Sequence, residues 1–383
     1  ALLKEKGAVF GAKYGWERPN WFAPDGIEPH DELTFGIPNW FEHVGNEHQA
    51  AREKVVLIDQ SSFCKFEIEG PKALDFLDWL AANNIDKPVG SVTYTQLCNA
   101  RGTIECDLTI ARLADDKFFL VTGTAFGRHD AEWIKKHMPA DGSVSFRDVT
   151  AGLAVINVIG PRSRQLLQKV TRSDISNENF RHGKCKALTI GSAPVTALRM
   201  TYVGELGYEL YIPAEFAAHV YESLWDAGHP LGVSNAGYRA INSLRLEKGY
   251  CLWGAELTPE YTPYDAGLGI CVALNKGDFL GREALAESKR QGPHWKQCTF
   301  MIETDQPVML RGSEPILQKD KVIGVTTSAG YGYTVARTIA YGYVPSDKAD
   351  PSDSYEIECY KKIYRATYEP QRALYDPERK KIL

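Results

Sequence analysis

Cys64-Lys65-Phe66-Glu67-Ile68-Glu69-Gly70-Pro71 sets the pattern for most of this chain. Cys64, Phe66 and Ile68 alternate with Lys65, Glu67 and Glu69, and a period of two means a strand with one buried face. Gly70-Pro71 breaks the strand. Leu74, Leu77, Leu80 and Ala81 then recur at helical spacing, so 71–84 is an amphipathic helix. The same order returns later: residues 153–159 form an apolar strand, Gly160-Pro161 follows, and a helix runs through Leu166 and Leu167. A strand, Gly-Pro, helix unit used twice points to two related α+β halves.

Each unit extends outward in a similar way. Residues 92–98 and 104–112 read as a strand pair joined across Asn99-Ala100-Arg101-Gly102, with a strand at 117–122 and a helix at 124–137. In the second round, strands at 195–203 and 208–212 flank Gly204-Glu205-Leu206-Gly207, and helices follow at 214–227 and 236–249. Residues 1–50 are aromatic and turn-rich, and Pro19, Pro24, Pro29 and Pro38 oppose long helices there. That segment reads as a connector packed on a globular body. The tail from about 295 shows short strand runs (298–302, 322–328, 338–344, 355–359) with Gly and Pro between them, the pattern of a small β-barrel or sandwich.

Bulk properties narrow the function. A chain of 383 residues exceeds one ordinary core and suits two or three domains. A net charge of -5 with no basic block argues against nucleic acid as the main partner. No apolar run reaches the ~18 residues of a membrane span, and the first residues resemble neither a signal nor a transit peptide. Eight cysteines without CxxC spacing fit reduced thiols in a bacterial cytoplasm or a mitochondrial matrix. The nine histidines form no HxH or HExxH pair, so no metal site is expected. GxGxxG, GxxxxGK[ST] and GxSxG are absent as well, which leaves no visible means of oxidising a substrate.

Asp107 is the first candidate for chemistry. In Cys106-Asp107-Leu108-Thr109-Ile110, Asp107 and Thr109 share the face opposite Leu108 and Ile110. A carboxylate in such a strand is paired, solvated or functional; by residue type alone, an edge position facing water is the commoner fate. Glu209 has the same setting, opposite Tyr208, Leu210 and Ile212, and could accept two N–H bonds from a heterocycle edge or simply face solvent. Arg245 points near the apolar stripe of helix 236–249 and wants a carboxylate, either a ligand's or the protein's own. Tyr94, Tyr202 and Trp253 stand beside polar or glycine-rich turns, where aromatic rings either stack on flat ligands or pack in the core.

Six motifs, read in order, resemble the aminomethyltransferase family, which includes the glycine-cleavage T-protein. They are Ile58-Asp59-Gln60-Ser61-Ser62, the Tyr94 to Asp107 block, Gly160-Pro161-Arg162-Ser163, Tyr202 to Glu209, Ser243 to Gly249, and Gly281-Arg282-Glu283-Ala284-Leu285. Gly15-Trp16-Glu17-Arg18-Pro19-Asn20-Trp21-Phe22 further resembles the segment joining the two halves of sarcosine and dimethylglycine dehydrogenases. The resemblance implies an α+β fold: a three-domain cloverleaf with two intertwined α+β domains and a C-terminal β-barrel around a central folate cavity. It divides the chain into a connector (1–45), two interleaved folate-binding domains (46–290) and a barrel domain (291–383). It implies tetrahydrofolate as cofactor, Asp107 as the catalytic aspartate, and Tyr94, Tyr202, Glu209, Arg245 and Trp253 around the folate.

The implied activity is transfer of the carbon of an N-methyl amine, as iminium or aminomethyl group, to give 5,10-methylene-tetrahydrofolate. A flavin-bearing domain or subunit that oxidises the amine is the expected partner, with FAD held there and the present chain starting just after it. Two alternatives share the fold: an N- or S-demethylase making 5-methyl-tetrahydrofolate, and a non-catalytic module like the regulatory subunit of pyruvate dehydrogenase phosphatase. Two departures stand out. Cys106-Asp107 replaces the paired aspartates of the T-protein branch, and Phe180-Arg181-His182-Gly183 lacks the Asn-Phe-Pro-Phe-like run of the dehydrogenase branch.

Overall fold

The computed structural model describes residues 1–383. A short helix α1 (Leu2–Glu5) leads into a hairpin, β1 (Ala8–Lys13) and β2 (Trp16–Phe22), and an irregular stretch then reaches α2 (Phe41–Glu53) and β3 (Val55–Asp59). The first α+β unit contains β4 (Cys64–Glu69), α3 (Ala73–Leu80), β5 (Val92–Cys98), β6 (Ile104–Arg112), β7 (Lys117–Thr122), α4 (Gly127–His137) and β8 (Ser145–Asp148). Its sheet has the order β5-β6-β7-β4-β8. The second unit contains β9 (Leu153–Ile159), α5 (Ser163–Val170), β10 (Cys185–Ile190), β11 (Ala193–Leu198), β12 (Gly207–Pro213), α6 (Ala217–Gly228) and β13 (Val233–Asn235). Its sheet has the order β10-β11-β12-β9-β3-β13.

Both units run strand, helix, three strands, helix, strand, and their sheet orders correspond position by position except for β3. The Gly-Pro junctions have a common cause. Gly70 and Gly160 adopt φ of +141° and +122°, and a Cβ would lie 2.3 Å from Ser143 O in one case and 2.4 Å from Lys54 O in the other. Only glycine turns the chain from strand to helix there at so little cost. β3 is the element that intertwines the halves. It comes before the first unit in sequence but sits inside the second sheet, antiparallel to β9 and parallel to β13.

The rest of the body is α7 (Tyr238–Lys248), α8 (Arg282–Gln291) and a closed barrel. The barrel strands are β14 (Trp295–Ile302), β15 (Pro315–Gln318), β16 (Lys321–Gly332), β17 (Arg337–Pro345), β18 (Tyr355–Cys359) and β19 (Lys362–Glu369). No helix is long and apolar enough to cross a membrane.

Some elements depart from the expectations. The segment expected as a connector carries the hairpin, with Trp21 fully buried, and α2 begins three residues after Pro38, the last of its prolines. The helix expected over 71–84 ends at Leu80, because Ala81 leaves it to bridge Leu97. The strand expected to reach residue 203 stops at Leu198, where its pairing with β12 ends. Two barrel strands, β15 and β19, go beyond the expected runs.

Each unit buries a core between its sheet and its helices. Phe66, Ile68, Leu77, Leu108, Ile110, Phe118 and Leu120 fill the first, and Val158, Leu166, Leu188, Tyr208, Leu210 and Leu224 the second. The opposite faces of the two sheets meet each other. Val92, Ala111, Phe119 and Val121 of the first sheet pack on Val155, Leu198 and Tyr211 of the second. Phe119 and Tyr211 form an edge-on pair with centroids 4.9 Å apart. Truncating a plug residue of this size to alanine costs roughly 3–5 kcal/mol.

Candidate functional site

Strand register dictates what lies beyond that apolar plug. On the first sheet, Val92 pairs with Ala111, Tyr94 with Thr109 and Gln96 with Asp107. All six side chains therefore share the inner face, and moving along it from the plug meets Tyr94 and Thr109, then Gln96 and Asp107. On the second sheet Tyr211 pairs with Val155, and the next pair on that face is Glu209 with Asn157. The two sheets are sealed together at one end and present polar walls to each other at the other. Asp107, Tyr94 and Glu209 lie deep in the protein yet keep part of their surface accessible.

Asp107 is held from its own sheet. Gln96 Nε2 donates to Oδ1 at 2.8 Å, and the Tyr94 hydroxyl also hydrogen-bonds the carboxylate. Burial pushes the carboxyl up to about 6 despite these donors, and the negative charge of Asp130 adds to the rise. An acid of that strength is placed to exchange protons near neutral pH. Burial also raises Glu209 above the usual carboxylate range, offset only by the Tyr211 hydroxyl, which donates to Oε2 at 2.7 Å. The neighbouring Asn157 Oδ1 is buried and has no partner. Glu209 Oε1 and Asn157 Oδ1 thus present acceptors without protein donors, which suits a flat ligand edge rich in N–H groups.

Further polar groups near Asp107 come from α7 and the segments around it. Arg245 is buried, with Nε bonded to Asn242 Oδ1 (3.0 Å) and Nη1 to Glu256 Oε2 (3.1 Å) and Tyr250 O (3.2 Å). Its carboxylate is therefore the protein's own. Burial opposes the guanidinium charge most strongly, but Glu256 together with Tyr202, Tyr341 and Cys251 outweighs it and the net shift is upward. Tyr202 feels the charges of both Arg245 and Asp107, lies nearly parallel to Tyr250 at 6.0 Å, and donates to Cys251 O at 2.5 Å. Burial raises both Tyr94 and Tyr202 well above ordinary phenols, so both stay neutral donors.

The structure brings Asp107, Tyr94, Tyr202 and Arg245 into one cluster and sets Glu209 on the facing sheet. Trp253 is seated apart, in a small core with Ile104, Cys251, Leu257 and Ala266, its ring 4.6 Å from Phe126. Its indole N–H is buried and unpartnered, and little of its ring is left as an open wall.

Sequence reasoning did not find Gln96, Asn157 or Arg372. The first two share faces with Asp107 and Glu209, a relation that strand pairing alone reveals. Arg372 lies after the last strand in the tail. It donates to Ala266 O at 2.7 Å and to the Cys251 thiol, leaves Nε unpartnered, and acts on Tyr94. Behind Asp107, on the other face of β6, Cys106, His129 and Asp130 approach to within 4.8 Å of one another. They are already satisfied internally: the Cys106 thiol and His129 Nδ1 both bond Asp130, as does Thr122 Oγ1.

Comparison with known proteins adds independent findings. The GCVT N-terminal domain matches residues 1–276, and the glycine cleavage T-protein C-terminal barrel domain matches residues 296–376. The chain is 38% identical over 383 residues to the 4-methylaminobutanoate oxidase (formaldehyde-forming) of Paenarthrobacter nicotinovorans, covering 100% of this chain and 46% of that protein. It is 37% identical over 367 residues to the mitochondrial dimethylglycine dehydrogenase of Rattus norvegicus, covering 95% of this chain and 43% of that one. It thus spans less than half the length of these relatives. The crystal structure of the glycine cleavage system aminomethyltransferase T from Bartonella henselae superposes with a TM-score of 0.83 at 27% identity, covering 97% of this chain and 96% of that one.

Proposed function

The chain belongs to the glycine-cleavage T-protein family of aminomethyltransferases, and from that premise we propose that it transfers the carbon of an N-methyl amine to tetrahydrofolate, giving 5,10-methylene-tetrahydrofolate. The observation that carries this reading is that the two sheet faces that meet at one apolar patch carry unlike polar groups beyond it, Asp107 with its donors on one sheet and Glu209 with Asn157 on the other. The residues fit a reduced pterin. Glu209 and the orphaned Asn157 oxygen meet the N–H groups of its amino-pyrimidinone edge, and Tyr202 and Tyr94 offer aromatic faces along its plane. Arg372, whose Nε has no protein partner, offers positive charge toward the benzoyl-glutamate end, while Arg245 is committed to Glu256. Trp253 supports this region from behind through Cys251.

Bound tetrahydrofolate supplies the two nitrogens that take up the carbon. Overall, an iminium and two N–H groups give one methylene bridge and a protonated secondary amine, so two protons must move from the folate nitrogens to the departing amine. Asp107 suits this relay because its ionised form accepts and its acid form returns a proton near neutral pH, a role worth roughly 10²–10⁴-fold. The apolar plug keeps water from that end of the hollow, which protects an iminium from hydrolysis. A flavin-bearing domain or subunit, holding FAD and working in a bacterial cytoplasm or mitochondrial matrix, is the proposed source of the iminium.

Titration calorimetry with tetrahydrofolate, followed by chromatography of the folate product after turnover with a flavin dehydrogenase and its N-methyl amine, tests the proposal. Binding and 5,10-methylene product are expected. Release of 5-methyl product would make the protein a demethylase, and absence of folate binding would make it a non-catalytic module.

A further inference from the structure

Gln96 stands out among the residues that sequence reasoning missed. Its side chain is fully buried, directly across the strand pair from Asp107, with Nε2 2.8 Å from Oδ1. Its other polar atom, Oε1, is buried with no donor. A buried acceptor without a partner destabilises the fold, and an apolar side chain of the same size would avoid that loss. Gln96 is therefore a poor choice for stability alone.

We infer that Gln96 is a positioning residue that aims the Asp107 carboxyl and follows its proton, an inference that rests on the acid–base reading of Asp107. When Asp107 is ionised, the Gln96 amide donates to it and Oε1 stands idle. When Asp107 carries the proton, its O–H needs an acceptor, and the amide turned over about its last torsion offers Oε1 instead. One side chain thereby serves both states of a group that must take and return protons. Carboxylate and carboxylic acid are both held on the same line, so the acid does not rotate away between the two halves of a transfer.

Among the groups around Asp107, Gln96 is the one with a buried acceptor atom left idle. Tyr94 on β5 hydrogen-bonds Asp107 and is held neutral by burial, so its hydroxyl can donate to the carboxylate or accept from the acid without itself changing charge. Asp130 on α4 acts through its charge from behind the sheet. Tyr202, before β12, gives its own proton to Cys251 O. Cys251 and Cys271, from the segments after α7, are thiols pushed up to about 12 by burial. Arg245 and Arg372 are committed to Glu256 and to Ala266 and Cys251.

The test compares Gln96→Met and Gln96→Glu with the parent chain over residues 1–383. In the folate-free protein, infrared difference titration follows the protonated carboxyl band of Asp107, assigned by its loss in Asp107→Asn. With Gln96→Met the Asp107 midpoint should rise by about one pH unit, and the acid limb of single-turnover transfer should move by the same amount. The thermal midpoint should hold or rise, because an orphaned acceptor has gone; a purely structural role would lower it and leave the titration in place. Gln96→Glu puts two acids on one proton, so Asp107 should shift further upward than in Gln96→Met. An unmoved Asp107 midpoint in either folded variant overturns the inference. Wild-type transfer by Asp107→Asn would instead overturn the acid–base reading, whatever the titration of Gln96→Met shows.

Discussion

The two α+β halves share one topology and differ at the wall each turns inward. In the first, the acid is tied to two donors on the neighbouring strand, so its direction is fixed and its proton is the variable part. In the second, Glu209 is tied once, to a tyrosine two residues along its own strand, and Oε1 is left free beside an unpartnered amide oxygen. A restrained carboxyl suits chemistry, and an under-satisfied one suits recognition. Repeating a fold and then dividing the labour between its copies produces a site that neither copy holds alone.

Asp107→Asn should break the comparison most sharply. Transfer should fall about 10²–10⁴-fold while folate affinity in calorimetry stays nearly unchanged. Loss of affinity with a preserved rate at saturation would reverse the roles of the walls. Next in size, Glu209→Gln should weaken tetrahydrofolate about 10–100-fold, the worth of charge-assisted bonds to the pterin edge, with little change in the saturated rate.

A third effect concerns stability. The folded Asp107 carboxyl, at about 6, lies above its ordinary 3.8. Its proton therefore stabilises the fold fully below the ordinary value, and that contribution is lost as pH rises through 6. Asp107→Asn avoids the loss, so it should be more stable than the parent at pH 7 by up to about 3 kcal/mol and little more stable near pH 4, as thermal melts at the two pH values would show. The smallest expected effect is that of Tyr211→Phe. Without its hydroxyl, Glu209 is less well aimed, and folate affinity should fall about 2–5-fold. A drop as large as that of Glu209→Gln would mean that Tyr211 itself contacts the ligand.

The sequence disclosed much of this arrangement because period-two alternation is a local property. It separated Asp107 and Thr109 from Leu108 and Ile110, and Glu209 and Tyr211 from Leu210 and Ile212, as the folded sheets do. The Gly-Pro junctions exposed the repeat for the same reason. Long-range facts stayed hidden. That β6 faces β12 across a plug depends on packing between sheets, and that Gln96 meets Asp107 depends on a register with an irregularity at Leu97/Cys98. Arg245 could have served a ligand or a carboxylate of the protein, and only the folded loop after α7 shows Glu256 there. Arg372 follows the last strand, where no periodicity marks it. Trp253 could have stacked on a flat ligand or packed in the core, and only the fold brings Phe126 from a distant turn to lie beside it.

The lending of β3 to the second sheet has a consequence for how the protein is made. Val55 to Ile58 are all buried, with partners at 156–159 and 233–235. On the ribosome this strand emerges before its partners and must wait, one edge until Ile159 and the other until Asn235 has been synthesised. The second lobe therefore cannot be completed without a strand made before the whole of the first. Expressing the second lobe without β3 should therefore give an aggregation-prone product.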